Sequence, residues 1–88
     1  MTTNESELLD TMRRSRLVEI NAARAERPTL EARHGRVWDT KELGQEFEVL
    51  SFAAPYVVVR RRNDGALGSL EFQHDPRLYF NFQPDRPG

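Results

Sequence analysis

The hydrophobic pattern divides the chain into a helical first part and a strand-forming second part. Residues 5–27 contain no Gly or Pro and are rich in Glu, Arg, Leu and Ala, which predicts a helix. Asn4 and Glu7 have the spacing of a capping box. The apolar stripe of this helix is weak because Arg16 lies in its middle; its members are Leu8, Leu9, Met12, Ile20 and Ala23. We therefore expect the helix to pack on the rest of the chain rather than to form a coiled coil.

A second helical signal follows a stretch, up to Gly35-Arg36, that is predicted to be a loop or one short turn. Pro28 is expected to end the first helix, because the residue before a proline disfavours helical backbone angles. Further along, Asp39 and Glu42 form a capping box, with Trp38 and Leu43 at the positions of a hydrophobic staple. This spacing predicts a one-turn helix at residues 40–43. It also predicts that Trp38 is a structural anchor rather than a residue that stacks on a ligand.

From Phe47 onward the apolar residues recur at every second position. This period predicts four short strands: Phe47–Phe52, Tyr56–Arg62, Leu67–His74 and Leu78–Phe82. The predicted fold is α+β, with an N-terminal helix, a one-turn helix and a four-stranded antiparallel β-meander that carries the long helix on one face. The expected segments of this single domain are an N-terminal helix (1–27), a loop and short helical turn (28–46), the meander (47–82) and a disordered tail (83–88).

The turns predict which strand residues face each other. A two-residue turn at Asp64-Gly65 places Val59 opposite Leu70 and Val58 opposite Glu71. One face of the hairpin is then apolar and the other is mostly polar.

The flanking hairpins predict the rest of the apolar face. A three-residue loop at 75–77 sets Phe72 opposite Phe80. In the first hairpin two registers stay open, and they direct either Leu50 and Phe52 or Phe47 and Val49 to the core. In both registers the outer face carries Tyr56, Val58 and two large apolar residues, so a partner or another element is expected to cover it.

Composition excludes several classes of protein. The 88 residues include 13 Lys and Arg against 14 Asp and Glu, for a formal net charge of −1, and no polybasic tail or acidic block is present. The absence of cysteine excludes disulfide scaffolds, thiolate zinc sites and thiol catalysis. No apolar run approaches the length of a membrane span, and the polar start does not read as a signal peptide. A cytoplasmic location is the default expectation.

Candidate catalytic and metal-binding residues are few. His34 and His74 lack the paired spacing of a metal site, and Asp75-Pro76 has the sequence of an ordinary turn. Phosphate-binding glycine motifs are absent, since Gly65-Ala66-Leu67-Gly68 falls within a hairpin. We therefore expect no enzyme activity, no cofactor, no metal and no small-molecule substrate.

The outer face supplies the functional hypothesis. Exposed apolar patches mark interfaces, so the chain is predicted to be a non-catalytic protein-interaction module that binds itself or a protein partner. The alternative is a nucleic-acid-binding module, in which arginines contact phosphates and tyrosines stack on bases. The predicted binding residues of the two hypotheses are Tyr56, Val58, Arg60, Arg62, Glu71 and Tyr79.

Overall fold

The computed structural model describes residues 5–85, with side chains from residue 8, as three helices and a five-stranded antiparallel sheet. The helices are α1 (Glu5–Ala22), α2 (Arg27–His34) and α3 (Thr40–Glu46), and the strands are β1 (Val37–Trp38), β2 (Phe47–Ala53), β3 (Tyr56–Arg61), β4 (Leu67–Gln73) and β5 (Leu78–Pro84). The order across the sheet is β1-β5-β4-β3-β2. The α+β class and the four-stranded meander are confirmed, and the short β1 adds a fifth strand beside β5.

Pro28 begins a helix instead of ending one. Helix α1 stops at Ala22, and the stretch predicted to be a loop or one short turn contains the two turns of α2, with Pro28 in its first turn. A proline is accepted there because the first N–H groups of a helix have no partner within the helix. Gly35, at φ 85°, terminates α2 by donating its N–H to the carbonyl of Glu31. The predicted capping box at Asn4 lies outside the described residues.

The capping box of α3 is confirmed. The N–H of Glu42 donates to Asp39 Oδ1 at 2.8 Å, and the N–H of Asp39 donates to Glu42 Oε1 at 2.9 Å. Trp38 and Leu43, the predicted staple residues, are both buried in one apolar cluster. Helix α3 continues three residues beyond the predicted turn, through Gly44.

The first hairpin combines both registers that the sequence left open. Ala53 pairs with Tyr56 across a two-residue turn, but a bulge between Val49 and Ser51 shifts the rest of β2 by one residue. Such an extra residue exchanges the two faces of the strand beyond it. Phe47 and Phe52 therefore both lie on the core side of the sheet.

The middle hairpin has a longer loop than predicted. The N–H of Arg61 donates to the carbonyl of Ala66, which leaves a four-residue loop in which Gly65 has φ 73°. Hydrogen bonds from the side chain of Arg61 hold the pKa of Asp64 at about 2, and Asp64 also accepts a hydrogen bond from the N–H of Ala66.

The predicted pairing of Val58 with Glu71 in this hairpin is wrong by two residues: Val58 faces Ser69. A shift of two preserves the faces, so the alternation is as predicted.

The last hairpin departs from the predicted register in a way that changes the faces. Gln73 pairs with Leu78, so the loop has four residues and Phe72 faces Tyr79 rather than Phe80. A bulge then follows at Asn81, which has φ 58°. Asn tolerates this left-handed conformation better than most residues. Beyond the bulge the register is the predicted one, and β5 continues to Pro84, into the segment predicted to be a disordered tail.

Apolar clusters cover both faces of the sheet. We call the side that bears Val57 and Val59 the inner face and the side that bears Tyr56 and Val58 the outer face. The inner cluster contains Trp38, Leu43, Phe47, Val57, Val59, Leu70, Phe72 and Tyr79. The outer cluster joins α1 and α2 to β1 and β5 through Ile20, Leu30, Val37, Leu78 and Phe80. Helix α1 thus lies on the outer face. Within residues 5–85, none of the helices has the length and apolar character required to cross a bilayer.

Candidate interaction surface

Strand β3 supplies three of the predicted binding residues to the outer face. Tyr56, Val58 and Arg60 alternate along it, and the first two are half-buried while Arg60 is exposed. Arg60 donates from Nη1 to Glu48 Oε1 at 3.4 Å across the strand pair. The resulting surface contains an apolar centre with a paired charge at one end.

Glu71 joins α1 to the outer face. Its carboxylate accepts two hydrogen bonds from Arg16, at 2.5 Å from Nε and 2.8 Å from Nη2, and a third from Asn81 Nδ2 at 2.8 Å. The Glu71 side chain is only 14% exposed. Arg16, the residue that interrupts the apolar stripe of α1, therefore anchors the helix to β4. Glu71 is occupied by contacts within the chain and does not face solvent as a free binding group.

Acidification should remove the contribution of the Arg16–Glu71 pair. Burial by itself raises the pKa of Glu71, but the hydrogen bonds from Arg16 and Asn81 outweigh it, so the pKa lies below its usual value of 4.5. A lowered folded-state pKa stabilises the fold above the unfolded pKa and ceases to do so as pH falls through the folded one. Glu71→Gln should cost about 1–3 kcal/mol at pH 7. Urea unfolding should show that this difference shrinks below pH 4.5.

The control for this experiment is Glu19→Gln. Glu19 also accepts from Arg16, at 3.0 Å, but its side chain is well exposed. Exposed pairs contribute little, so this variant should change the free energy of unfolding by less than about 1 kcal/mol at any pH. If the free energies of unfolding of the wild type and of Glu71→Gln change in parallel with pH, the predicted contribution of the Arg16–Glu71 pair is contradicted.

Two predicted binding residues do not join the outer face. The predicted placement of Tyr79 there is wrong, because the four-residue loop puts it on the inner face, where it is buried against Phe72. Its hydroxyl accepts a hydrogen bond from Arg77 Nε at 2.8 Å. Arg62 lies beyond the end of β3 and donates from Nε to the carbonyl of Gly44. The arginine–tyrosine platform of the nucleic-acid hypothesis is therefore not assembled as predicted.

The first half of α1 carries apolar side chains that contact little else. Leu8, Leu9 and Met12 are each more than half exposed. Leu8 and Leu9 lie four and three residues before Met12, and Met12 lies four residues before Arg16. The three residues therefore continue along the side of the helix that rests on the sheet. The sequence shows this stripe but not its exposure, which depends on how much of the helix packs on the rest of the chain.

A shallow groove lies beside Tyr56 on the outer face. It has a volume of about 350 Å³ and is lined by Tyr56, Ser69, Glu71, Asn81 and Gln83, together with Leu70. Asn81, the left-handed residue of β5, is one of the residues that line the groove. The half-buried Tyr56 thus forms part of a concave surface.

A larger cleft of about 500 Å³ lies beside α3; Arg62 lines it, whereas Tyr56, Val58 and Arg60 do not. Arg27 contacts Glu42 at 2.8 Å, and Arg36 forms a bidentate pair with Glu46. The first of these pairs joins α2 to α3, and the second joins the segment after α2 to the end of α3. This cleft could not be predicted from the sequence, because α2 was not predicted.

The two histidines serve packing contacts. His34 stacks on Phe80 with ring centroids 4.4 Å apart, and His74 lies edge-on to Phe72 at 5.7 Å. Burial lowers the pKa of His34. Among the side chains of residues 8–85, no three His, Asp or Glu residues are grouped closely enough to hold a metal ion.

Comparisons of this chain with protein-family models, with curated protein sequences and with solved structures found no match.

Proposed function

We propose that this chain is a non-catalytic protein-interaction module that binds a protein partner, either another protein or a second copy, through the outer face. The proposed contact surface consists of Tyr56 and Val58 together with the apolar side of α1 at Leu8, Leu9 and Met12. The exposure of these three helix residues is the main observation that supports the proposal. A helix normally turns its apolar stripe towards the core, and this one does so only in its second half, at Ile20.

The chemistry of this surface favours a protein partner. Neighbouring exposed apolar side chains are typical of protein interfaces, whereas single ones are common on any surface. Met adapts to irregular partners because its side chain is unbranched and flexible. The charges nearby are paired within the chain, Arg13 with Asp10 and Arg60 with Glu48, so they would form the polar rim of an interface.

A photo-crosslinking residue at position 12 tests the proposal. We expect it to form covalent adducts with a partner protein, or with a second copy, under conditions where the same residue at Val18 does not. Val18 is a matched control because it is 67% exposed on the same helix but outside the stripe.

The substitution Val58→Lys then links the adduct to the outer face. A charge placed in a desolvated patch should abolish the adduct formed from position 12. The free energy of unfolding should change by less than about 1 kcal/mol, since Val58 is only half-buried. If Val58→Lys unfolds the chain, Leu9→Lys replaces it, because Leu9 is exposed on the helix. Equal adducts from positions 12 and 18, or adducts that survive the lysine substitution, would overturn the proposal.

A further inference from the structure

The two edges of the sheet differ sharply. At one edge, β1 consists of two residues, and both are buried. At the other edge, β2 has seven residues, of which only Phe47 is buried. Edge strands present unpaired N–H and C=O groups to any other strand that can reach them. Within residues 5–85, the sheet therefore has one long edge that is open to pairing.

We propose that β2 pairs antiparallel with β2 of a second copy and forms a two-fold symmetric dimer. This surface is separate from the outer face, so the proposal goes beyond the proposed function. β2 contains no Lys, Arg or Pro, and its bulge between Val49 and Ser51 leaves the last three residues of the strand regular. Its one charge, Glu48, is bound by Arg60 of the same chain.

The backbone of β2 is oriented for this pairing at Phe52. The N–H of Arg62 donates to the carbonyl of Glu46, the residue just before β2. The N–H of Arg61 points the other way and donates to the carbonyl of Ala66, the residue just before β4. Because hydrogen bonds alternate along an antiparallel strand, the even-numbered residues of β3 bond to β2 and the odd-numbered ones to β4. Phe52 pairs with the odd-numbered Val57. The N–H and C=O of Phe52 therefore point away from β3, towards the open side.

The bulge in β2 selects the register of the dimer. Residues that lie directly opposite each other in the dimer must have their side chains on the same face of the sheet. The bulge between Val49 and Ser51 exchanges the two faces of β2. Only the segment after the bulge can therefore pair with its own copy without placing side chains on opposite faces. A two-fold axis at Phe52 satisfies this condition. It places Phe52 opposite its own copy and Ser51 opposite Ala53. Phe52 is 52% exposed, so the free side of its ring would become an aromatic cross-strand contact.

A second copy fits this edge better than a growing chain of copies does. Continued assembly requires two complementary edges, and β1 is too short and too buried to serve as the second. A strand that pairs with itself around a two-fold axis closes the assembly at two copies. One strand pair buries less than the roughly 800 Å² per partner of a standard interface, so we expect the dimer to dissociate on dilution.

Light scattering over a concentration series tests the dimer. The mass should rise from 10.2 kDa towards twice that value as concentration increases. Over the same range, hydrogen exchange at the amide of Phe52 should slow, because that N–H becomes bonded only in the dimer. A mass that stays at 10.2 kDa, or a dimer with unprotected Phe52, overturns the proposal.

Charge substitutions at Phe52 test the register. Phe52→Glu and Phe52→Lys each place like charges opposite one another and should raise the dissociation constant at least about tenfold. The guanidinium of Arg77 lies 5.3 Å from the Phe52 ring, so a glutamate there should be tolerated in the monomer. An equimolar mixture of the two variant chains should recover the dimer, since opposite charges then meet.

Two further variants complete the test. Val18→Glu makes a similar change on exposed α1 and should leave the dimer intact. Val58→Lys, which tests the outer face, should also leave it intact, so failure of the proposed function and failure of the dimer are distinguishable. A dimer that persists in Phe52→Glu, or no recovery in the mixture, contradicts the proposed pairing.

Discussion

Replacing Trp38 with alanine should lower the free energy of unfolding by roughly 3–5 kcal/mol, the range for truncating a buried large aromatic side chain. Trp38 is 5% exposed and packs edge-on against Phe47, with ring centroids 5.5 Å apart. The guanidinium of Arg36 covers the indole at 4.8 Å, and Nε1 donates to Glu46 at 3.3 Å. The variant would leave a cavity where β1, α3 and β2 meet. Urea unfolding measured by circular dichroism gives the change.

Two observations check the cause of this loss. Trp38→Phe retains an aromatic ring in the cluster and should cost clearly less than the alanine variant. Trp38 is the one tryptophan of the chain, so the emission of the wild type should be blue-shifted from that of indole in water. An unfolding midpoint for Trp38→Ala within error of the wild type, or emission near that of free indole, contradicts a structural role.

Gly68→Ala should destabilise the fold by about 3 kcal/mol, at the upper end of the cost of overpacking. A Cβ atom at this position would lie 2.6 Å from the carbonyl oxygen of Gln83 and 2.6 Å from the Phe82 ring. The carbonyl belongs to β5, whose residue Pro84 pairs directly with Gly68, so it cannot move without disturbing the sheet. The same unfolding measurement applies.

The matched control is Gly44→Ala, which should have the opposite sign. Gly44 lies within α3, and no neighbouring atom lies within 4 Å of the added Cβ. Alanine in a helix is more favourable than glycine by roughly 0.5–1 kcal/mol, so stability should rise by about this amount. If both alanine variants behave alike, the close approach of β5 to Gly68 is not the cause of the loss.

Local signals in the sequence predicted most of the elements correctly. The capping box at Asp39 and Glu42 lies within a single turn, so neighbouring residues alone determine it. The two-residue period after Phe47 likewise predicted four strands, with ends within two residues of those observed. Helix α2 was missed because Pro28 was interpreted as the end of one helix rather than the start of another. Its one buried residue, Leu30, leaves almost no apolar period to detect.

The candidate site was predicted less well because it depends on the registers. Tyr56, Val58 and Arg60 share the outer face as predicted, since alternation along one strand is a local property. Tyr79 was assigned to the wrong face because its placement depends on a loop length in another hairpin. The role of Arg16 also escaped prediction, since its partner Glu71 is 55 residues away in the sequence.

By itself, the sequence determined the α+β class, the strand-forming segments, the cap of α3 and the alternation of faces within each uninterrupted strand. Only the tertiary structure decided the bulges in β2 and β5, the four-residue loops, the side of the sheet that α1 covers and the strand left at the open edge. The physical reason is the distance along the chain between the residues that determine each feature. Caps and periods depend on neighbours in the chain, whereas each register is selected by the packing of large side chains on both faces at once, and a single extra residue changes the face of every residue beyond it.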